Sequence, residues 1–453
     1  VALSRRNLLQ RGGLVAAAGA LPSWMPRLAF RQPGVPARGD ILVCVFQRGG
    51  MDGLSAVIPY QERQYFDLRP TIRFKAPDPN DPRASIRLDD AFALNPGLAA
   101  LRQAWDDGQL AVVHAVGSPD PTRSHFDAMD YMERGTPGEK SLGSGWLGRH
   151  LATTASQNDS PFRAIGMGSM LQQSLRGPIP AAVLQSIADF HLQGRAEDLA
   201  EFRRQLQALY SSGDWFDEDA QATFAALDLL EQSNPANYQP ANGAVYPDNA
   251  FSQGLKQIAQ LIKADVGLEV ACVDIGGWDL HVNQVWSGYN DPTRGMMFNL
   301  LKQLADGLAA FYRDLGSRFR DPGITVVTMS EFGRRVAQNA GHGTDHGRGN
   351  CMFLLGNGVV SGVHAQWPGL EPGDLVDGDL AVTIDYRDIL AELLARRLNN
   401  AAVSQVFPGH AVRMHDVFRT RAGTVAPTPV PPAMPTAVPT DQRATVFLPW
   451  VGR

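Results

Sequence analysis

Four short stretches of this 453-residue chain are predominantly apolar, and they narrow what the chain can fold into. They are I-L-V-C-V-F-Q (41–47), L-A-V-V-H-A-V (110–116), L-E-V-A-C-V-D-I (268–275) and I-T-V-V-T-M-S (324–330). Each is too short for an ordinary helix and lacks the apolar–polar alternation of a half-solvated strand. Runs of this kind suit strands buried on both faces of a parallel sheet. A fifth, M-F-L-L-G (352–356), is shorter. Between them lie helix-like segments such as L-A-A-L-R-Q-A-W (98–105) and M-M-F-N-L-L-K-Q-L-A-D-G-L-A-A-F-Y-R-D-L (296–315). The alternation predicts an α/β fold, a large mostly parallel central sheet with helices on both faces. Residues 184–232 read as a helical insertion or cap, and 374–399 as the α/β segment that closes the sheet.

The two ends read differently. S-R-R-N-L-L-Q (4–10) precedes the modest apolar stretch G-G-L-V-A-A-A-G-A-L (12–21), the pattern of a twin-arginine export signal over residues 1–30. Residues 31–40 read as a linker into a domain spanning 41–423. No other stretch approaches the ~20 apolar residues of a membrane span, so the mature protein is expected outside the cytoplasm, periplasmic or secreted. From 424 to 453 the composition turns to proline, threonine, alanine and valine, an extended tail ending in an apolar segment that could dock a protein partner. With 41 Lys+Arg against 46 Asp+Glu and no basic stripe, nucleic acid is not an expected partner. Cys44, Cys272 and Cys351, odd in number and widely spaced, read as buried small hydrophobes.

The chemistry is concentrated just after the apolar runs. The first is followed by R-G-G-M-D-G with Asp52, and the second by G-S-P-D-P-T-R-S-H-F-D with Thr122, Arg123, Ser124 and His125. The third leads into G-G-W-D-L-H with Asp279 and His281, and the fourth into E-F-G-R-R, then G-H-G-T-D-H-G with Asp345 and His346. Parallel strands share one carboxyl edge, and ligands in such folds bind beyond it. Asp52, Asp279, His281, Asp345 and His346 then supply oxygen and nitrogen donors to a divalent cation (Zn, Mg, Mn or Ca), or to two of them. Ser124 at a helix start is the candidate nucleophile, with Arg123 beside it to hold an anion. Each residue also has a structural reading. Asp52 can form an Asx-turn, Ser124 can be a helix N-cap, and Glu331 can cap a helix or pair with Arg334 or Arg335. His114, inside a strand, reads as a core histidine.

F-Q-R-G-G-M-D-G-L-S-A-V-I-P-Y, G-G-W-D-L-H-V-N-Q, S-E-F-G-R-R and T-D-H-G, in this order, resemble the bacterial family called domain of unknown function 1501. That family is similar in turn to the alkaline phosphatase and sulfatase superfamily. The resemblance implies an alkaline-phosphatase-like fold, with Asp52 a metal ligand and Asp279 with His281 one metal half-site. It implies a nucleophile in the region of Ser124 or Thr122. S-E-F-G falls where the superfamily often carries Ser-Asp-His-Gly, so Glu331 would replace the acidic ligand and Phe332 the histidine. Asp345 and His346 would then supply the late histidine, or T-D-H-G is itself the Asp-His pair. No Cys-x-Pro-Ser-Arg is present, which speaks against a formylglycine-dependent sulfatase. The expectation is an exported metal-dependent hydrolase of small phosphate or sulfate esters, with Arg123 or Arg334 on the anion. The alternative is a non-catalytic envelope protein that keeps the fold for binding or assembly. A metal-dependent oxidoreductase has less support, with no blue-copper or Rossmann fingerprint.

Overall fold

The structure, a computed structural model, describes residues 39–154, 158, 160, 162–187, 237–320 and 323–422. The expected signal, the Pro-rich tail and nearly all of the expected helical insertion lie outside the described residues.

The four long apolar runs are strands. β1 (Ile41–Gln47) is followed by a helical turn at Gly53–Ala56 and by β2 (Val57–Pro59), β3 (Ile86–Arg87) and β4 (Phe92–Leu94). β5 (Leu110–Gly117) leads into α1 (His125–Arg134) and α2 (Trp146–Thr153), and then β6 (Ala164–Met167) and β7 (Ala182–Leu184). α3 (Ala250–Lys263) precedes β8 (Val270–Ile275), and α4 (Met296–Leu315) precedes β9 (Ile324–Met329). β10 (Asn350–Leu355), β11 (Gly362–Ala365), β12 (Ile384–Asp385) and α5 (Tyr386–Arg396) complete the domain.

The main sheet has the order β11-β5-β10-β9-β1-β8-β6-β7, and β12 continues the β11 side of β5. β1 lies parallel between β8 and β9. Only β10, the fifth apolar run, is reversed, antiparallel to both of its neighbours β9 and β5. β5 therefore points the same way as β1, β8 and β9, and all four release their loops at one edge. β2, β4 and β3 form a separate three-stranded antiparallel sheet.

Every residue of β1 and β5 is buried, because helices cover both faces. Val43 and Val45 pack with Leu255, Ile258, Leu301 and Leu308 of α3 and α4 on one face. Leu42, Cys44 and Phe46 pack with Trp146, Leu147, Leu390 and Leu394 of α2 and α5 on the other. Burial of such side chains is worth about 1.5–3 kcal/mol each, which is why strands without a polar face hold the centre of the molecule. The three cysteines are free and buried. His114 is buried with Nε2 donating to the Val57 carbonyl at 3.0 Å, and burial pushes its pKa down to about 4, the neutral core histidine expected. No helix among the described residues is long and apolar enough to cross a membrane.

Candidate metal centre

At the carboxyl edge the chain turns sharply after each strand. Beyond β8, Gly276 and Gly277 break the strand and Trp278 swings back into the core, its indole N–H on the Ile275 carbonyl at 3.0 Å. That anchor turns Asp279 outward. Gly49, after β1, has φ 121°, and a Cβ there would stand 2.6 Å from the Asp279 nitrogen, so the two loops touch through bare backbone.

Arg334 ties these loops together. It is fully buried and donates to the Gly50 carbonyl at 2.6 Å, the Thr344 carbonyl at 2.9 Å, the Trp278 carbonyl at 3.2 Å, the Gly49 carbonyl and Asp279 Oδ1 at 2.7 Å. Its donors are spent on protein groups. The expectation that Arg334 holds a substrate anion is therefore corrected: burial and five acceptors leave it no donor facing solvent.

Three imidazoles meet beside it. His125 Nε2 lies 3.0 Å from His346 Nε2, and His281 Nε2 lies 2.9 Å from the same atom. Asp279 Oδ1 stands 3.4 Å from His125 Nε2, 3.1 Å from His281 Nε2 and 3.2 Å from His346 Nε2. One donor atom each from His125, Asp279 and His346 lie within 4.8 Å of one another, and His281 adjoins this trio through Asp279 and His346. Neighbouring ligands held ~2.0–2.1 Å from one cation stand about 3.0–3.4 Å apart, the spacing observed.

The opposite nitrogen of every ring is engaged. His125 Nδ1 is 2.7 Å from Glu331 Oε1, His281 Nδ1 is 3.0 Å from Asp345 Oδ1, and His346 Nδ1 is 2.8 Å from the Arg123 carbonyl. A carboxylate and a carbonyl only accept, so each Nδ1 carries the ring proton and each Nε2 presents a lone pair. Three lone pairs and a carboxylate oxygen thus converge with no proton among them. One proton can be aimed at one acceptor at a time; a cation satisfies all four.

The charges are set accordingly. Burial works to raise the Asp279 carboxyl, but the hydrogen bond and the charge of Arg334 hold it down at about 2. The hydrogen bond to Glu331 raises His125, whereas burial lowers His346 and favours its neutral form. The hydrogen bond from His281 lowers Asp345.

Asp279, His281 and His346 come together as expected, and His125, expected among the catalytic residues, stands with them. Glu331 and Asp345, expected as ligands, instead orient His125 and His281; Glu331 also accepts from the Gly49 N–H at 2.8 Å and from Ser330 Oγ at 3.1 Å. Phe332 packs against His125 and His346, with ring centroids 4.8 Å from each. The expectation for Asp52 is corrected. It is buried in an ion pair with Arg69 Nη1 at 2.7 Å and accepts from Ser55 Oγ at 3.0 Å, capping the Gly53–Ala56 turn. A carboxylate beside a fully buried guanidinium is already neutralised.

Ser124 is the N-cap of α1, accepting from the Asp127 N–H at 3.4 Å, and Thr122 Oγ1 accepts from the Ser124 N–H at 3.3 Å. Arg123 Nη2 pairs with Asp379 at 2.6 Å. Nothing in V-D-G-D-L distinguishes Asp379 from a residue of a surface turn.

The solved structures most like this one include the zinc complex of the C-terminal periplasmic domain of EcEptC from Escherichia coli. It is 12% identical over 73% of this chain and 76% of that one, with a TM-score of 0.30. They also include the PsFucS1 sulfatase from Pseudoalteromonas sp., 10% identical over 86% of this chain and 72% of that one, with a TM-score of 0.35. Alkaline phosphatase from the Antarctic bacterium TAB5 is 10% identical over 73% of this chain and 95% of that one, with a TM-score of 0.28. Overlaps this loose carry no residue roles across. No curated protein matches. The family model described as "Protein of unknown function (DUF1501)" matches residues 40–399, and the chain belongs to that family.

Proposed function

We propose that the protein is an exported, metal-dependent hydrolase of anionic esters, phosphate or sulfate, with His125, Asp279, His281 and His346 holding the cation. One observation carries the reading: three Nε2 lone pairs and Asp279 Oδ1 converge while every Nδ1 proton is committed elsewhere. Imidazole nitrogens favour zinc or another borderline transition ion over magnesium or calcium, which take oxygen ligands. A cation there supplies Lewis acidity toward an ester oxygen and lowers the pKa of a coordinated water.

The chain's own groups do the rest. Glu331, Asp345 and the Arg123 carbonyl fix the three rings in the tautomer that ligates. Arg334 keeps Asp279 ionised. Ser124 precedes His125 directly, and its hydroxyl, which caps α1 at 3.4 Å, has the Asp127 carboxylate beside it as an acceptor for its proton, so it remains the candidate nucleophile. Thr122 shapes the turn that presents it.

The test is elemental analysis of the purified protein by mass spectrometry, with phosphatase, phosphodiesterase and sulfatase assays alongside. About one equivalent or more of a transition ion is expected, lost in Asp279→Ala/His346→Ala. Turnover is expected to fall by at least 10³-fold in Ser124→Ala. A metal-replete protein inert across a broad ester panel would favour the binding-protein reading instead.

A further inference from the structure

The face of the sheet that α2 and α5 cover holds a cluster of sulfur atoms that the metal centre does not use. Cys44 of β1, Cys272 of β8 and Met329 of β9 are all buried there. Cys44 and Cys272 stand opposite each other in the β1–β8 ladder, close enough for their thiols to share a hydrogen bond. The Cys44 thiol donates to Met329 Sδ at 3.7 Å, and Cys272 Sγ lies 3.7 Å from Ser174 Oγ. All three sulfur-bearing side chains line one cavity, together with Gln172. That cavity is too narrow to hold a water, so what fits among the sulfurs is a bare ion. Gln172 Oε1 is buried without a hydrogen-bond donor, an orphaned lone pair of the kind that a cation satisfies.

On the side toward solvent, Arg48 reaches Glu133 at 2.6 Å and Asp274 at 2.9 Å, so both carboxylates of the cavity are engaged. The side chains of Arg48 and Asp274 are 28% and 31% exposed, and Met129 Sδ lies 3.5 Å from Arg48 Nη1. A fourth sulfur thus stands where the cavity meets solvent. The spacing suits one ion. Two sulfurs ~2.3 Å from a cation and 3.7 Å apart subtend about 107° at it, close to the tetrahedral angle. The donors decide which ion: thiols and a thioether, without an imidazole, select soft Cu(I) over the harder divalent cations.

We propose that Cys44, Cys272 and Met329 form a second metal site, for a soft monovalent ion such as Cu(I), with Met129 at its entrance. Binding forms one metal–thiolate bond and releases one thiol proton to solvent, while the other thiol and the thioether ligate as neutral groups. The buried charge therefore stays at zero. Burial raises the Cys272 thiol well above its ordinary value, so Cys272 keeps its proton, toward Ser174 Oγ, and Cys44 supplies the thiolate. This inference stands on the sulfur cluster alone and does not depend on the reading of the histidine centre.

Ag(I), a redox-silent stand-in, is titrated calorimetrically into the reduced, zinc-saturated protein in chloride-free buffer, and Cu(I) is titrated anaerobically in competition with bicinchoninate. One equivalent should bind the folded protein, with about one proton released per ion. Copper K-edge absorption should show two or three sulfur neighbours at about 2.3 Å. Cys44→Ser keeps the size of the side chain and should weaken Cu(I) at least about 100-fold, and Met329→Leu, which conserves volume, about tenfold. Cys351→Ala, whose thiol packs in the core on the opposite face, should bind as the parent does. Asp279→Ala/His346→Ala should do the same, which separates this site from the histidines whether or not they hold zinc. If Cys44→Ser fails to fold, Met329→Leu and the absorption spectrum of the parent decide. The inference is overturned by less than about a tenth of an equivalent bound, by a copper shell without sulfur, or by an affinity that Met329→Leu leaves unchanged. A disulfide joining Cys44 to Cys272 in the purified protein, read by alkylation and mass spectrometry, overturns it as well.

Discussion

An imidazole has one proton to place when neutral, and the partner that takes it decides what the other nitrogen can do. At His125 that partner is Glu331, buried and 2.7 Å from Nδ1. The carboxylate fixes the ring's rotation and raises the basicity of Nε2, as outer-shell acids do for ligating histidines. Glu331→Gln keeps an acceptor without the charge, and Glu331→Ala removes both. Metal affinity should fall about 10–100-fold in the first and further in the second, read by competition with a chromogenic chelator. An affinity equal to that of the parent protein in Glu331→Ala would show that Glu331 plays no part in presenting His125. At this scale the sequence was legible where chemistry and motif coincide: G-G-W-D-L-H and T-D-H-G each announce residues that do meet. It was not legible where a partner decides the role. Asp52 looks free in R-G-G-M-D-G, and nothing in that string shows that Arg69 will neutralise it. Glu331 reads equally well as ligand or as orienting base until the distance to Nδ1 is known.

Among elements, predominantly apolar runs gave the central strands and period 3.6 gave α4, whose observed span, Met296–Leu315, is the one read from the pattern. β6, β7, β11 and β12 have two to four residues each, too few for any period to show. The reversal of β10 is equally hidden, because an apolar run has no direction until its neighbours are known. The C-terminal part of the domain is fastened to α5 through buried carboxylates. Asp388 accepts from His410 Nε2 at 2.7 Å, from the Arg413 N–H at 2.9 Å and from His415 Nε2 at 3.3 Å. Burial tends to raise the Asp388 carboxyl, but the hydrogen bond from His410 and those from Arg413 and His415 bring it below the usual value of 3.8. A carboxyl whose folded pKa is depressed adds stability that is fully present above its unfolded pKa and disappears as pH falls through the folded one. The melting-temperature gap between the parent protein and Asp388→Asn should therefore be constant near neutrality and close below pH ~4. Both proteins are to be measured in chelator, so that acid release of metal does not enter. A gap that stays constant down to pH ~2 would mean the carboxylate charge contributes nothing to this fastening.

For the molecule as a whole, the site exists because four parallel strands empty onto one edge. The loop after β1 contributes Gly49 and Gly50, the start of α1 contributes His125, the loop after β8 contributes Asp279 and His281, and the segment between β9 and β10 contributes Glu331, Arg334 and His346. That convergence followed from reading the runs as parallel; the keystone, Arg334, did not, because five acceptors drawn from three separate segments leave no mark near S-E-F-G-R-R. Lone pairs that repel when empty and bind when a cation is present should make the loops the least secure part of the fold without metal. A ligand that binds only the folded form adds RT ln(1 + [L]/Kd), about 2.7 kcal/mol at a hundredfold excess over Kd. The thermal midpoint should accordingly drop by several degrees in a strong chelator and recover when zinc is restored. Asp279→Ala/His346→Ala should melt at one temperature whether chelator or zinc is added. If the parent protein, shown by elemental analysis to carry metal, melted identically with and without chelator, its cation would sit somewhere other than among these four side chains.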